Sequence, residues 1–254
     1  MDLALDRKCV AVSGATRGIG LAIAKEFARE GSHVAICSRN SAEADAVAGD
    51  LGKNSDGKII GHGVDVSDTD AVNQWIESVG DAFGGIDIVV ANVSALAGVP
   101  DEDSWRMATE IDMLGTVRLV DASMPYLEQS AAASIVAISS TAALEAFGGA
   151  RPYNAIKAAL INYMSNLATA LAPKGIRANT VSPGTIFFED GVWGTRKREQ
   201  PDIYNAALAH NPMGRMGTPE EVAAAVAFVA SPRSGFTTGA NIVVDGGFTR
   251  RIQY

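Results

Sequence analysis

Three side chains that could exchange a proton with a substrate stand close together in the sequence. Tyr153 and Lys157 are four residues apart in a helix-like stretch, so they would share one face. Ser140 ends an apolar run thirteen residues before Tyr153. A free tyrosine keeps its proton at neutral pH, but a neighbouring ammonium stabilises the phenolate. Tyr153 could therefore protonate a developing alkoxide or deprotonate an alcohol, while Ser140 hydrogen-bonds the same oxygen.

A second candidate site is the glycine-rich turn that follows the first apolar run. Gly14, Gly18 and Gly20 have the spacing G-x-x-x-G-x-G and lead into a helical pattern. Glycines let a backbone turn sharply and approach a pyrophosphate, and the helix start supplies amide donors. The turn predicts a dinucleotide site whose contacts include the intervening Thr16, Arg17 and Ile19.

The end of the second apolar run indicates which dinucleotide this would be. An NAD site usually has an acidic residue about 20 residues beyond the glycine turn, where it accepts from the ribose 2′-hydroxyl. Here Ser38 and Arg39 stand at that place, and Arg17 could reach the same position. Guanidinium groups and a hydroxyl suit a 2′-phosphate. We therefore predict NADP(H) as the cofactor.

The elements that must position these residues alternate regularly along the chain. Apolar runs that read as buried strands cover 9–13, 33–37, 59–64, 86–91, 134–139, 177–181 and 241–244. Helical patterns lie between them at about 19–30, 41–51, 68–83, 101–129, 153–172 and 219–230. This alternation predicts an α/β fold with a Rossmann-type doubly wound parallel sheet of about seven strands, flanked by helices.

The whole chain of 254 residues is predicted to form a single dinucleotide-binding catalytic domain, 1–254. The stretch at about 185–218 shows no clear period, and long loops of this kind are usually functional, often lids over a site. Its large rings, with Tyr204 and Met213 further along, could line an apolar substrate pocket or could only pack the stretch down. Both readings stay open. The basic run 196–198 fits a solvated surface better than an anion site.

Composition excludes several classes of protein. The formal net charge of -8 argues against nucleic acid as the main partner, which needs a basic face. No apolar run is long enough to cross a bilayer, and the start of the chain lacks a secretion signal, so we expect a cytoplasmic protein without a membrane partner. The two cysteines are expected to be buried and reduced, and the three scattered histidines give no metal-ligand spacing.

The motifs taken together resemble those of the classical short-chain dehydrogenase/reductase family, over essentially the whole chain. The resemblance implies that Tyr153 is the acid/base, that Lys157 assists it and bonds the nicotinamide ribose, and that Ser140 polarises the carbonyl. It also implies that the backbone at Ile186 holds the carboxamide, and that the protein is a homotetramer. The further cofactor contacts that it implies are Asp65 and Val66 at the adenine, Asn92 after the fourth strand, and the turn Pro183-Gly184 beside the nicotinamide.

The sequence departs from the family pattern in three places, which together involve four residues. Val93 and Ser94 replace an alanine and a glycine after Asn92, and Phe188 replaces a common threonine. Asp112 stands where the family has a catalytic asparagine, and we expect its carboxylate to reach Lys157 through a water. The negative charge would oppose formation of the phenolate at Tyr153.

The sequence predicts an NADP(H)-dependent oxidoreductase that interconverts a secondary alcohol and a ketone, the small molecule being apolar or cyclic. Two alternatives remain. One is a 3-oxoacyl thioester reductase, which would need a basic docking surface for its carrier. The other is a nucleotide-binding sensor or scaffold with impaired catalysis, which would not need a paired phenol and ammonium.

Overall fold

One parallel sheet of seven strands forms the centre of the computed structural model, which describes residues 2–250 and 252. The strands are Cys9–Ser13 (β1), His33–Ser38 (β2), Ile59–Gly63 (β3), Ile88–Ala91 (β4), Ser134–Ile138 (β5), Arg177–Pro183 (β6) and Asn241–Val244 (β7). Their order in the sheet is β3-β2-β1-β4-β5-β6-β7. The order reverses between β1 and β4, and ligands of such sheets bind beyond the carboxyl ends of the strands at that point.

The described residues form nine α-helices, most of which cover the two faces of the sheet. They are Gly18–Arg29 (α1), Ser41–Gly52 (α2), Thr69–Phe83 (α3), Glu102–Ala108 (α4), Gly115–Leu127 (α5), Pro152–Leu171 (α6), Val192–Glu199 (α7), Pro201–His210 (α8) and Pro219–Ala230 (α9). Buried side chains of α1 and α9 share one core with the strands, and those of α3, α5 and α6 share a second core on the opposite face. The predicted doubly wound α/β fold is confirmed.

The predicted strands agree with the observed ones to within two residues at every end, as do the helices outside 101–129. The agreement has a simple cause: the five central strand segments are almost fully buried, and four of them (β1, β2, β4 and β5) are mainly apolar, so the sequence carries their burial directly. Pro219 and the acids after it open α9, and Thr218 adds a capping box with Glu221.

The single helix predicted at 101–129 is wrong. The chain instead forms α4, a π-helical segment over Thr109–Leu114, and then α5. In a π-helix the i→i−5 backbone bond replaces the i→i−4 bond, and here the Gly115 amide donates to the Glu110 carbonyl. The Thr116 hydroxyl donates to the Asp112 carbonyl at 2.7 Å, and Arg118 donates to the Glu110 carbonyl at 3.3 Å. The π-helical segment carries Asp112 into the protein interior.

The stretch 185–218, which shows no clear period in the sequence, contains helices α7 and α8. Its two ends lie side by side: the Phe187 amide donates to the Gly217 carbonyl at 2.8 Å, and the Gly217 amide to the Thr185 carbonyl at 2.9 Å. The helices between them therefore form an excursion that leaves the sheet after β6 and returns before α9. We call it the 185–218 segment.

The two cysteines are buried and free, as predicted. Burial and the nearby charge of Asp87 raise the pKa of Cys9 to about 11, and burial raises the pKa of Cys37 to about 12. Across the described part of the chain, no helix combines the length and the apolar character that crossing a bilayer requires.

Candidate active site

Lys157 is the most enclosed polar group of the candidate site. It belongs to α6, and its side chain is 3% exposed. The ammonium donates to the Ile138 carbonyl at 3.0 Å and lies 3.1 Å from Asp112 Oδ1. The Ser139 hydroxyl donates to the Lys157 carbonyl at 2.7 Å, which fastens α6 to the end of β5. A buried ammonium needs such partners, because removing a charge from water is costly.

Asp112 contacts Lys157 directly, which corrects the expected water between them. The π-helical segment places the carboxylate inside the protein with 3% of the side chain exposed. Its Oδ2 accepts from the Ala95 amide at 2.7 Å. Oδ1 faces the ammonium at ion-pair distance but makes no directed hydrogen bond. The carboxylate thus joins the loop after β4 to the helix that carries Tyr153 and Lys157.

Tyr153 and Ser140 lie at the same end of the sheet, on α6 and directly after β5. The Tyr153 ring is half-buried, and its centroid is 5.8 Å from the Lys157 ammonium. Ser140 begins a short 3₁₀ turn, Thr141–Ala143, which packs against α6, and its hydroxyl oxygen accepts from the Ala142 amide at 3.1 Å. Because that oxygen acts only as an acceptor there, its hydrogen remains available to a substrate.

Two backbone contacts, which sequence reasoning missed, hold the loop after β4 against this group. Ala95 donates to Asp112, and the Ala97 carbonyl accepts from the Tyr153 amide at 3.2 Å. Backbone groups have the same chemistry in every residue type, so no sequence signal could have identified these two. Ser94 has a local role instead, since its hydroxyl accepts from the Leu96 amide.

The glycine turn adopts the backbone conformation that its composition predicts. Gly14 and Gly18 have φ of 63° and 55°, a left-handed region that favours glycine. Asn92 donates from its amide nitrogen to the Gly14 carbonyl at 2.9 Å and to the Ser13 carbonyl at 3.2 Å. Asn92, which directly follows β4, therefore holds the glycine turn in place. Val93 packs so closely that a side chain on Gly14 would meet it.

An aromatic ring covers the glycine turn. A Cβ atom on Gly18 would lie 2.6 Å from the Phe188 ring, and a Cβ atom on Gly191 would meet the same ring at 2.6 Å. Both positions therefore require glycine. The contact brings the beginning of the 185–218 segment onto the start of α1, so the residue that replaces the family's threonine joins two parts of the candidate site.

The residues expected to select the cofactor lie at the carboxyl ends of β1, β2 and β3. Arg17 and Arg39 are exposed, and neither is within ion-pair distance of a carboxylate among residues 2–250 and 252. Asp65 is exposed and bonds Ser67 at 2.7 Å; those bonds and the Arg39 charge lower its pKa. The Ser38 hydroxyl donates to the Asn40 carbonyl at 2.9 Å. The Arg39 charge thus lies close to Asp65.

Three further predicted contacts, at Val66, Gly184 and Ile186, each have a close structural neighbour. Val66 is buried and packs against Gly115. Gly184 follows the last residue of β6, Pro183, and its Cα approaches Asp245 so closely that a Cβ atom would lie 2.6 Å from the aspartate Cβ. Ile186 is buried and forms an isolated parallel bridge with Gly217. The Pro183-Gly184 turn is thereby held between β7 and the end of the 185–218 segment.

The large rings of the 185–218 segment pack against one another and against cations. The Phe187 and Tyr204 rings meet edge to face at 6.1 Å, and the Lys197 ammonium lies 5.0 Å from the Phe187 centroid. The Arg196 guanidinium stacks over Trp193 at 4.7 Å. Met213 is exposed. These contacts favour packing within the segment over the apolar pocket that the sequence left open.

Comparisons with known proteins agree with this arrangement. Residues 14–249 match the family model described as enoyl-(acyl carrier protein) reductase. The chain is 34% identical to isoepoxydon dehydrogenase of Penicillium expansum over 248 residues, which is 96% of each protein. It is 29% identical to L-sorbose reductase of Gluconobacter frateurii, solved with NADPH and L-sorbose, with a TM-score of 0.90 over 99% of this chain and 100% of that one.

A second solved structure contains the other nicotinamide dinucleotide. This 7α-hydroxysteroid dehydrogenase, complexed with NADH and 7-oxo glycochenodeoxycholic acid, is 27% identical and has a TM-score of 0.89, over 97% of this chain and 96% of that one. The matched relatives therefore share the fold and differ in cofactor and substrate. The family match spans nearly the whole chain, and it includes the glycine turn, Ser140, Tyr153 and Lys157. This chain belongs to the short-chain dehydrogenase/reductase family.

Proposed function

We propose that this protein is an NADP(H)-dependent oxidoreductase that interconverts a secondary alcohol and a ketone. The observation that carries the proposal is the convergence of Tyr153, Lys157 and Ser140 at the end of β5 and the start of α6. A buried ammonium costs free energy that a purely structural position does not require. It has a use beside a phenol that must lose and regain a proton.

Each of the three residues then has one task in ketone reduction. The Ser140 hydroxyl donates to the carbonyl oxygen, since its oxygen is already engaged by the Ala142 amide. Tyr153 gives its phenolic proton to the same oxygen as the carbonyl carbon becomes tetrahedral. Lys157 stabilises the phenolate that remains. A bound nicotinamide dinucleotide supplies the hydride, or accepts it in the reverse direction.

The residues at the carboxyl ends of β1, β2 and β6 suit such a dinucleotide. The Gly14–Gly20 turn and the start of α1 would hold its pyrophosphate, because the left-handed glycines bring amides close to an anion. Ser38, Arg39 and Arg17 would hold the 2′-phosphate of NADP(H), and both guanidinium groups are exposed and unpaired among the described residues. Pro183, Gly184 and Ile186 would flank the nicotinamide, and Asp65 and Val66 the adenine.

The 185–218 segment would cover the substrate in this proposal. Its ends are fixed by backbone hydrogen bonds at 187 and 217, and Phe188 already contacts Gly18. A cover that touches both the glycine turn and the catalytic end of the sheet can exclude water from the reacting carbon.

The test is a screen of cyclic and acyclic ketones that follows NADPH absorbance, with Tyr153→Phe as the paired variant. We expect the wild type to oxidise NADPH with at least one ketone. Tyr153→Phe should abolish this turnover while cofactor affinity and folding stay nearly unchanged, because only the phenolic oxygen is lost. A variant that keeps a substantial share of the wild-type kcat would show that Tyr153 is not the acid/base.

A further inference from the structure

The Phe188 ring fills the open side of the glycine turn. Gly18 is the first residue of α1, and its φ of 55° is left-handed. The three heavy atoms nearest to the position of a Cβ atom on Gly18 all belong to the Phe188 ring, at 2.6, 2.9 and 3.0 Å. In dinucleotide-binding turns, a glycine at this point lets the backbone approach the pyrophosphate. The ring therefore lies on the surface that the proposed cofactor would use.

The turn that opens α7 holds the same ring. Gly191 is the N-cap of α7, and a Cβ atom there would lie 2.6 to 2.8 Å from the same three ring atoms. The Gly191 amide donates to the Phe188 carbonyl at 3.0 Å, and the Phe187 amide donates to the Gly217 carbonyl at 2.8 Å. The backbone is thus fixed on both sides of the ring. The half-buried ring can still leave the glycine turn by rotating about its own side-chain bonds.

The start of α1 suits an anion better than it suits an aromatic ring. The first amides of a helix have no acceptor within the helix, and they carry a partial positive charge. Arg17 is the N-cap of α1, and among the described residues its side chain makes no capping hydrogen bond. The Phe188 ring brings no oxygen to these amides, whereas a diphosphate would bring several. An anion that reaches the turn should therefore displace the ring.

We infer that the Phe188 ring competes with the diphosphate of the nicotinamide dinucleotide for the surface of Gly18, so that the free protein closes its own cofactor turn. This inference rests on the proposed function, because it takes the glycine turn as the dinucleotide site. Binding expels the ring, while the hydrogen bonds at 187 and 217 keep the ends of the 185–218 segment in place. When only a fraction of the molecules is open, the apparent affinity falls by that fraction. Phe188 thus sets the affinity for the cofactor.

The experiment is a calorimetric titration of the wild type, Phe188→Ala, Gly191→Ala and the double variant with NADP⁺ and with NAD⁺. We expect Phe188→Ala to bind both dinucleotides about three- to tenfold more tightly, because both carry the diphosphate. Gly191→Ala should give a similar gain. Its extended backbone, with φ −98° and ψ 179°, accepts alanine, but the new Cβ atom forces the ring to move. The double variant should bind no more tightly than Phe188→Ala, because the effect of Gly191→Ala acts through the ring.

Two controls show whether the effect belongs to this ring and to the diphosphate. Phe187→Ala removes the neighbouring ring, which packs against Tyr204, and it should leave the affinity for both dinucleotides unchanged. Adenosine 2′-phosphate has no diphosphate, so the wild type and Phe188→Ala should bind it equally. A gain in either control as large as the gain of Phe188→Ala with NADP⁺ would overturn the competition.

The outcomes separate this inference from the proposed function. If the wild type binds a dinucleotide and neither Phe188→Ala nor Gly191→Ala binds it more tightly, the competition is overturned and the proposed function stands. If both variants gain affinity but no ketone is reduced, the redox function fails and the competition stands. If no variant binds either dinucleotide, both fail. Thermal melting shows which variants are folded, and Gly191→Ala alone decides the matter if Phe188→Ala does not fold.

Discussion

At the scale of single residues, the direct contact between Asp112 and Lys157 is the feature that most distinguishes this site. An asparagine at that position would replace the charged partner of the ammonium with a neutral one. The carboxylate here lies 3.1 Å from the ammonium and is as deeply buried. It also accepts from Ala95, so the same side chain positions the loop after β4. In the proposed mechanism, Asp112 would be a positioning residue with an electrostatic effect on the proton transfer.

Replacing Asp112 with Asn tests that effect. We expect the alkaline rise of the alcohol oxidation rate to move to lower pH, because removing a buried negative charge leaves the phenolate of Tyr153 more stable. The plateau kcat should not fall, since the asparagine oxygen can still accept from Ala95. The measurement is a pH–rate profile of both proteins, with the exposed Asp121→Asn on α5 as the control. A shift to higher pH would show that the sign of the coupling is opposite.

The proposed preference for NADP(H) also depends on single residues. We expect NADPH to bind at least about tenfold more tightly than NADH, because a 2′-phosphate would meet Arg17 and Arg39. Arg39→Gln should weaken NADPH binding and hardly affect NADH. Arg29→Gln is the control, since Arg29 is an exposed arginine of α1 that pairs with Glu26. Calorimetric titration with both dinucleotides decides the matter, and equal affinities in the wild type would remove the basis for assigning NADP(H).

Residue types and spacing predicted both the glycine turn and the group formed by Tyr153, Lys157 and Ser140, because the chemistry of these side chains can be inferred from the sequence. The sequence could not predict the direct ion pair between Asp112 and Lys157. That pair depends on the π-helical segment, which buries the carboxylate against the ammonium. Nor could it predict that Arg196 is stacked and Arg198 paired, since the two differ only in what faces them.

At the scale of elements, helical phase explains which predictions failed. Strands such as β4 and β5 were predictable because burial on both sides makes them mainly apolar. The π-helical segment shifts the helical phase of the residues that follow it. A prediction that assumes 3.6 residues per turn throughout therefore merges α4 and α5 into one helix. Helix α7 is missed for another reason: of its eight residues only Gly194 is buried, so it has no apolar face to detect.

The N-terminal cap of helix α9 allows a test of how much one element contributes to the stability of the fold. Its capping box joins Thr218 and Glu221, and Arg215 and the Thr218 amide hold the pKa of Glu221 at about 2. We expect Thr218→Ala to lower the free energy of unfolding by about 1 kcal/mol, because the Glu221 amide loses its acceptor. The measurement is a urea denaturation midpoint, with Thr218→Ser as the control that keeps the hydroxyl. A Thr218→Ala protein as stable as the wild type would contradict the role of the cap.

At the scale of the whole molecule, the sheet separates two cores and encloses both thiols. Cys9 and Cys37 lie on strands β1 and β2, and burial keeps their pKa values near 11 and 12. At pH 8 about one molecule in a thousand or fewer would carry either thiolate in the native state.

Thiol labelling should therefore report on opening of the entire sheet. We expect a colourless disulfide reagent at pH 8 to label neither cysteine in the native protein over minutes, and both at once in guanidinium chloride. Because the thiolate is the reactive form and both pKa values lie well above pH 8, native labelling should speed up about tenfold for each pH unit and still stay far slower than labelling in guanidinium chloride. Rapid native labelling of one cysteine would mean that its strand opens locally without global unfolding.

The packing of α1 against α9 has a consequence for the order in which the protein acquires its site. Helix α1 starts at the glycine turn, and its buried residues Ile23 and Phe27 share a core with Val222 and Val226 of α9. The Ser231 hydroxyl also donates to the Leu3 carbonyl. At a synthesis rate of about 5–20 residues per second, α9 leaves the ribosome roughly 10 to 40 s after α1. During that interval α1 can pack against β1 and β2 but lacks its partners on α9, so the core on this face of the sheet is completed only after α9 has emerged.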